Sequence, residues 1–104
     1  MILKIADRLN LARLFPQEGG ILTQLTVKDI AKKIEFSQDE IKEIELKQQG
    51  QMLRWNPKKE IELDIEFSSA EINFLKERVE ALDKEQKVTQ DMVDFCLLIK
   101  NYTK

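Results

Sequence analysis

Two helix-start signals stand eleven residues apart in TVKDIAKKIEFSQDEIKEI, residues 26–44. Thr26 with Asp29 has the form of a capping box, and Leu25 and Ile30 occupy the positions of a hydrophobic staple. Ser37 with Glu40 repeats the signal as S-x-x-E, with Phe36 and Ile41 as its staple. One helix must therefore end before the second begins, leaving only a short turn at Glu35-Phe36. The first helix is expected to present Val27, Ile30, Ala31 and Ile34, and the second Ile41 and Ile44. Ala31 is small enough to admit a close neighbour, so Ala31 and Ile41 are expected to bury against one another's helices. Glu35 sits where a residue free to take positive φ, usually glycine, is favoured.

The flanking segments supply the rest of the architecture. Leu3, Ile5, Leu9, Leu11, Ala12 and Phe15 predict a helix over 3–15, ended by Pro16 and Gly19-Gly20. Ile21 to Leu25 is short and apolar and reads as a brief strand. From Ile44 the period changes to two: Ile44 and Leu46, a turn at Gln49-Gly50, then Leu53 and Trp55, predict a hairpin. IELDIEF, residues 61–67, alternates throughout, with Ile61, Leu63, Ile65 and Phe67 inward and acids outward. Its acidic row would discourage edge-to-edge pairing. Ser68 and Glu71 form a further box, opening a helix that presents Ile72, Leu75, Val79 and Leu82. After a polar break at 84–87, Thr89 is placed as the cap of a last helix. The fold class expected is α+β, one domain over 1–104. Residues 1–60 form its helical and hairpin part, and 61–104 a strand followed by a helical pair.

Chemistry is constrained mainly by what the chain lacks. With no histidine, it cannot build a Ser-His or Cys-His dyad or a histidine metal site. Three glycines are too few for a phosphate-cradling loop or dinucleotide fingerprint. Cys96, the single cysteine, lies in an apolar run and reads as a packed thiol. No enzyme activity, cofactor, metal or small-molecule substrate is expected. Neither a membrane span nor a signal peptide is evident in the sequence, which points to a reducing, cytoplasmic setting.

Charge is divided unevenly. Residues 1–59 hold 11 Lys/Arg against 8 Asp/Glu, and residues 60–104 hold 6 against 11. A nucleic-acid rim would have to use the first half: Lys28, Lys32, Lys33, Arg54, Lys58 and Lys59. The second helix of the 26–44 pair opposes that use, because its outer positions include Asp39 and Glu43, where base readout wants Arg, Lys, Asn or Gln. Trp55 is either a core residue or an exposed anchor for a partner. The most unusual segment is MVDFCLLI, residues 92–99, seven of whose eight residues are apolar and surround the helix. Such a helix must be covered on every side. Either it is a central core helix or it meets a partner; Met92, Val93, Leu97 and Leu98 are the candidate interface, with a homodimer the expected form.

The helix pair at 27–46, with a preceding helix and a following hairpin, resembles the winged-helix family over residues 3–56. More broadly, the run from KIADRLNLARLFP through TVKDIAKKIEFSQDEIKEIEL to the final helix pair is similar to small uncharacterised proteins of bacteriophages and prophages. That resemblance implies a protein in the cytoplasm of a bacterial host that binds a host or phage protein. A phage transcriptional regulator using a winged helix-turn-helix is the alternative.

Overall fold

In the computed structural model, which describes residues 1–50 and 52–103, the chain is α+β. Strand β1 (Ile2–Leu3) leads into α1 (Ile5–Arg13), α2 (Ile21–Ile34) and α3 (Gln38–Ile44). A hairpin of β2 (Lys47–Gln49) and β3 (Met52–Arg54) follows, then β4 (Leu63–Asp64), α4 (Ser69–Lys84), a single 3₁₀ turn at Gln90–Met92, and α5 (Val93–Asn101). There are two separate antiparallel pairs among the described residues, β1 with β4 and β2 with β3.

Helix α1 starts later than its apolar pattern suggests because residues 2–3 are claimed by β4, with Ile2 opposite Asp64 and Leu3 opposite Leu63. The orphan amides at its start are satisfied from two directions. The Lys4 N–H donates to the Asp7 carboxylate at 3.0 Å, and the Ile5 N–H to Glu60 at 3.2 Å, across 55 residues of chain. IELDIEF forms only a two-residue strand, yet its facing is as expected: Ile65 and Phe67 are buried while Glu62, Asp64 and Glu66 are exposed.

The largest departure is at 21–25, which is the first turn of α2 and not a strand. Gly20 caps the helix, and the Gln24 N–H already donates to the Gly20 carbonyl at 3.0 Å. Thr26 is therefore a mid-helix residue; its hydroxyl donates back to the Leu22 carbonyl at 3.0 Å and caps nothing. The Leu25–Ile30 staple is absent too, since Leu25 is exposed.

The second start signal behaves as written. The Ser37 N–H donates to Glu40 at 2.9 Å and the Glu40 N–H to the Ser37 hydroxyl at 3.1 Å. Glu35 needs no positive φ: at φ −62° and ψ 137° it is extended, so the link is an open bend and not a tight turn. The left-handed residue comes one helix later, at Glu45 (φ 56°), which closes α3. Ile44 thus ends a helix and does not begin a strand. Gly50 (φ 62°) supplies the hairpin's left-handed position. Ala31 and Ile41 are only half-buried, so the expected close pairing between them is corrected; Ile30, Ile34 and Ile44 carry the burial.

The Ser68–Glu71 box opens α4 as expected, and Ile72, Leu75 and Val79 are buried along its inner side. Thr89 precedes the 3₁₀ turn, and its hydroxyl bonds to Asp91 without capping the following amides. One apolar cluster joins both halves of the chain, running from Leu3, Leu11 and Ile30 through Phe67 and Leu75 to Phe95 and Ile99.

Candidate interaction surfaces

Two glutamates at the helix starts do double service. Arg8 of α1 is only 1% exposed and reaches the bend between α2 and α3. Its Nε donates to the Ile34 carbonyl at 3.1 Å and one terminal nitrogen to the Glu35 carbonyl at 2.7 Å. The guanidinium also grips Glu40, at 2.7 and 3.3 Å, and stacks over the Phe36 ring at 3.9 Å from its centroid. The last carbonyls of α2 and the capping carboxylate of α3 are thus held by one cation. At the other box, Lys33 of α2 donates to Glu71 at 2.6 Å and to the Glu66 carbonyl at 3.1 Å.

These contacts set the carboxylate acidities. The hydrogen bond from Arg8 holds the Glu40 carboxyl below the ordinary 4.5, with burial opposing and the Ser37 amide helping. For Glu71 burial pushes upward, but the hydrogen bonds and charge of Lys33 with the Ser68 amide outweigh it, and the carboxyl lies below 4.5. Both groups bind protons more tightly in the unfolded chain. Their contribution to stability is therefore complete above the ordinary 4.5 and is lost as pH falls through the lower folded values. Urea midpoints should accordingly hold from neutral pH down to about 4.5 and then fall. Glu40→Gln should flatten that fall; an identical acid limb in the variant would exclude Glu40 as a source.

The same geometry corrects one member of the basic rim. Lys33 is committed to Glu71 and the Glu66 carbonyl and is not a free cation for phosphate. Lys28 and Lys32 are exposed on α2, Arg54 is exposed on β3, and Lys58 and Lys59 are exposed in the following turn. None of these five has an ion-pair partner among the described residues. Lys28 and Lys32 also line an open groove of about 500 Å³ between α1 and α2, together with Leu9, Ala12, Phe15 and Ala31. On α3, Asp39 and Glu43 are exposed beside Gln38 and Lys42, so its outer side is mixed with a net negative charge.

Helix α5 divides its apolar residues cleanly. Phe95, Cys96 and Ile99 face the core, and Met92 joins them at 3% exposure. Met92 is therefore removed from the candidate interface, because its own chain already covers it. Val93, Leu97 and Leu98 remain 40%, 49% and 37% exposed. Burial pushes the Cys96 thiol up, with Asp83 adding to the effect, which keeps it from the reactive thiolate form. Trp55 is half-buried, between the two positions considered for it.

A second apolar surface went unrecognised in the sequence. Ile21 and Leu22 are each 81% exposed and Leu25 51%, all on the first two turns of α2. Reading 21–25 as a strand hid them; the signal was the Gly19-Gly20 pair, whose second member caps a helix. Among the described residues no helix is long and apolar enough to cross a membrane, and no three His, Cys, Asp or Glu side chains converge as a metal-binding group. Comparison with family models, curated proteins and solved structures gives no match to this chain.

Proposed function

We propose that this chain is a non-catalytic interaction protein, a homodimer assembled through the outer side of α5, that binds a host or phage protein in a bacterial cytoplasm. The observation that carries the self-association is the exposure of Val93, Leu97 and Leu98 together on one short helix. Full burial of such a side chain is worth about 1.5–3 kcal/mol; with roughly half of each still exposed, a second copy can recover a corresponding fraction. The setting and the kind of target are those that the resemblance to small bacteriophage and prophage proteins would imply. Light scattering at micromolar concentration should return the mass of two 12.2-kDa chains. Leu97→Asp should give a folded monomer, since the damage falls outside the core; a wild-type mass of one chain would sink the dimer.

Regulation through DNA is the weaker reading. It has exposed Lys28, Lys32, Arg54, Lys58 and Lys59 in its favour. Against it stand the exposed carboxylates Asp39 and Glu43 on α3 and the engagement of Lys33. A nanomolar, sequence-dependent mobility shift abolished by neutralising Lys28, Lys32 and Arg54 would reverse the ranking.

A further inference from the structure

Two of the exposed apolar surfaces, those of α2 and α5, carry opposite charge at matching places. At about 100° per residue, Ile21, Leu25, Lys28 and Lys32 fall on one outward stripe of α2. Glu18 is exposed just ahead of that helix, so the order along the chain is acid, apolar, base. On α5 the outward residues follow the same order, Asp94, then Leu97 and Leu98, then Lys100, so an antiparallel arrangement sets acid against base. Neither Lys28 nor Asp94 has an ion-pair partner among the described residues.

We infer that the surface covering the outer side of α5 is α2 of a second copy, laid antiparallel. This rests on the self-association proposed above and names its counter-surface. Leu25 and Lys28 are separated along α2 by about 4.5 Å, as are Leu97 and Asp94 along α5, because each pair is three residues apart. Setting Leu25 against Leu97 therefore brings Lys28 to Asp94 of the other copy. Glu18 approaches the end of α5 that carries Lys100. Pairing α5 with itself is the competing arrangement. It would leave Ile21, Leu22 and Leu25 in water, and it would set Asp94 and Lys100 on opposite edges of the contact. The α2–α5 arrangement covers these two surfaces, though not the exposed Met52 and Leu53 of the hairpin, with one kind of contact. It closes as a dimer when both copies exchange helices at once.

The test is a charge swap followed by sedimentation across a concentration series, with circular dichroism to confirm folding. Lys28→Glu and Asp94→Lys should each weaken self-association by roughly tenfold, as like charges are brought face to face. The double variant, with both changes on one chain, should recover wild-type assembly. Leu25→Asp should dissociate the protein as Leu97→Asp does. If Leu97→Asp dissociates it while Leu25→Asp and Lys28→Glu leave it intact, α2 is not the counter-surface, although the proposed self-association stands. A monomeric wild type overturns both.

Discussion

Replacing Arg8 by methionine is expected to cost about 3 kcal/mol of folding stability, among the largest effects of any single change in this protein. Methionine keeps much of the stem's volume but removes every donor. The carbonyls of Ile34 and Glu35 then lose their partner in a site from which the side chain had excluded water. Glu40, whose side chain is 20% exposed, is left as an unpaired and partly desolvated carboxylate. Buried pairs broken from one side typically lose about 3–5 kcal/mol. The partial exposure of Glu40 places this one at the lower end. Adding Glu40→Gln should recover part of the loss, because no charge is then stranded. Urea unfolding with an unchanged m-value reads the difference; a loss under about 1 kcal/mol would mean that the clamp is not energetically important.

Ile44→Ala should cost about 2–5 kcal/mol, the usual range for removing a fully enclosed branched side chain. Ile44 is fully buried at the end of α3, and its carbonyl accepts the Asn56 N–H at 2.8 Å. Ile41→Ala, one turn earlier, should cost clearly less, since that side chain is only half-buried. The pair is informative together. Equal losses would show that α3 rests on both residues, as the amphipathic pattern alone suggests, and that the enclosure of Ile44 is not decisive.

Why some elements were readable and others were not follows from where their determining contacts lie. Ser37–Glu40 and Ser68–Glu71 are local devices, complete within four residues, and both helices begin where those boxes place them. The inward face of residues 61–67 is likewise a matter of alternation, and it survives although the strand itself shrinks to two residues. Thr26 and Asp29 imitate the same local device, but Gly20 starts the helix earlier, and nothing in the box reveals that competition. Arg8 was missed for the opposite reason. Its partners are 26 to 32 residues away, and only its spacing between Ile5 and Leu11, on the apolar side of α1, hints that it turns inward. On α5, a surplus of apolar residues was legible, but which of them the core takes was not. Met92, the last residue of the 3₁₀ turn that leads into α5, falls to the core, whereas the count alone treats Met92 and Val93 alike.

The doubly engaged glutamates have a bearing on how the molecule comes apart. A capping box is normally a private arrangement within one turn, available to a peptide in isolation. Here each box carboxylate is shared with a cation from a helix far along the chain, Glu40 with Arg8 and Glu71 with Lys33. Helix α3 has seven residues, too few to persist alone in water, so its first turn and its docking onto α1 stand or fall together. The Lys33–Glu71 link and the pairing of Ile2–Leu3 with Leu63–Asp64 extend this dependence across residue 60. Cutting the chain there would take from α4 the cation that shares its start and from β1 its partner strand. The hairpin marks no seam: the two halves are mechanically interlocked and should melt in a single step.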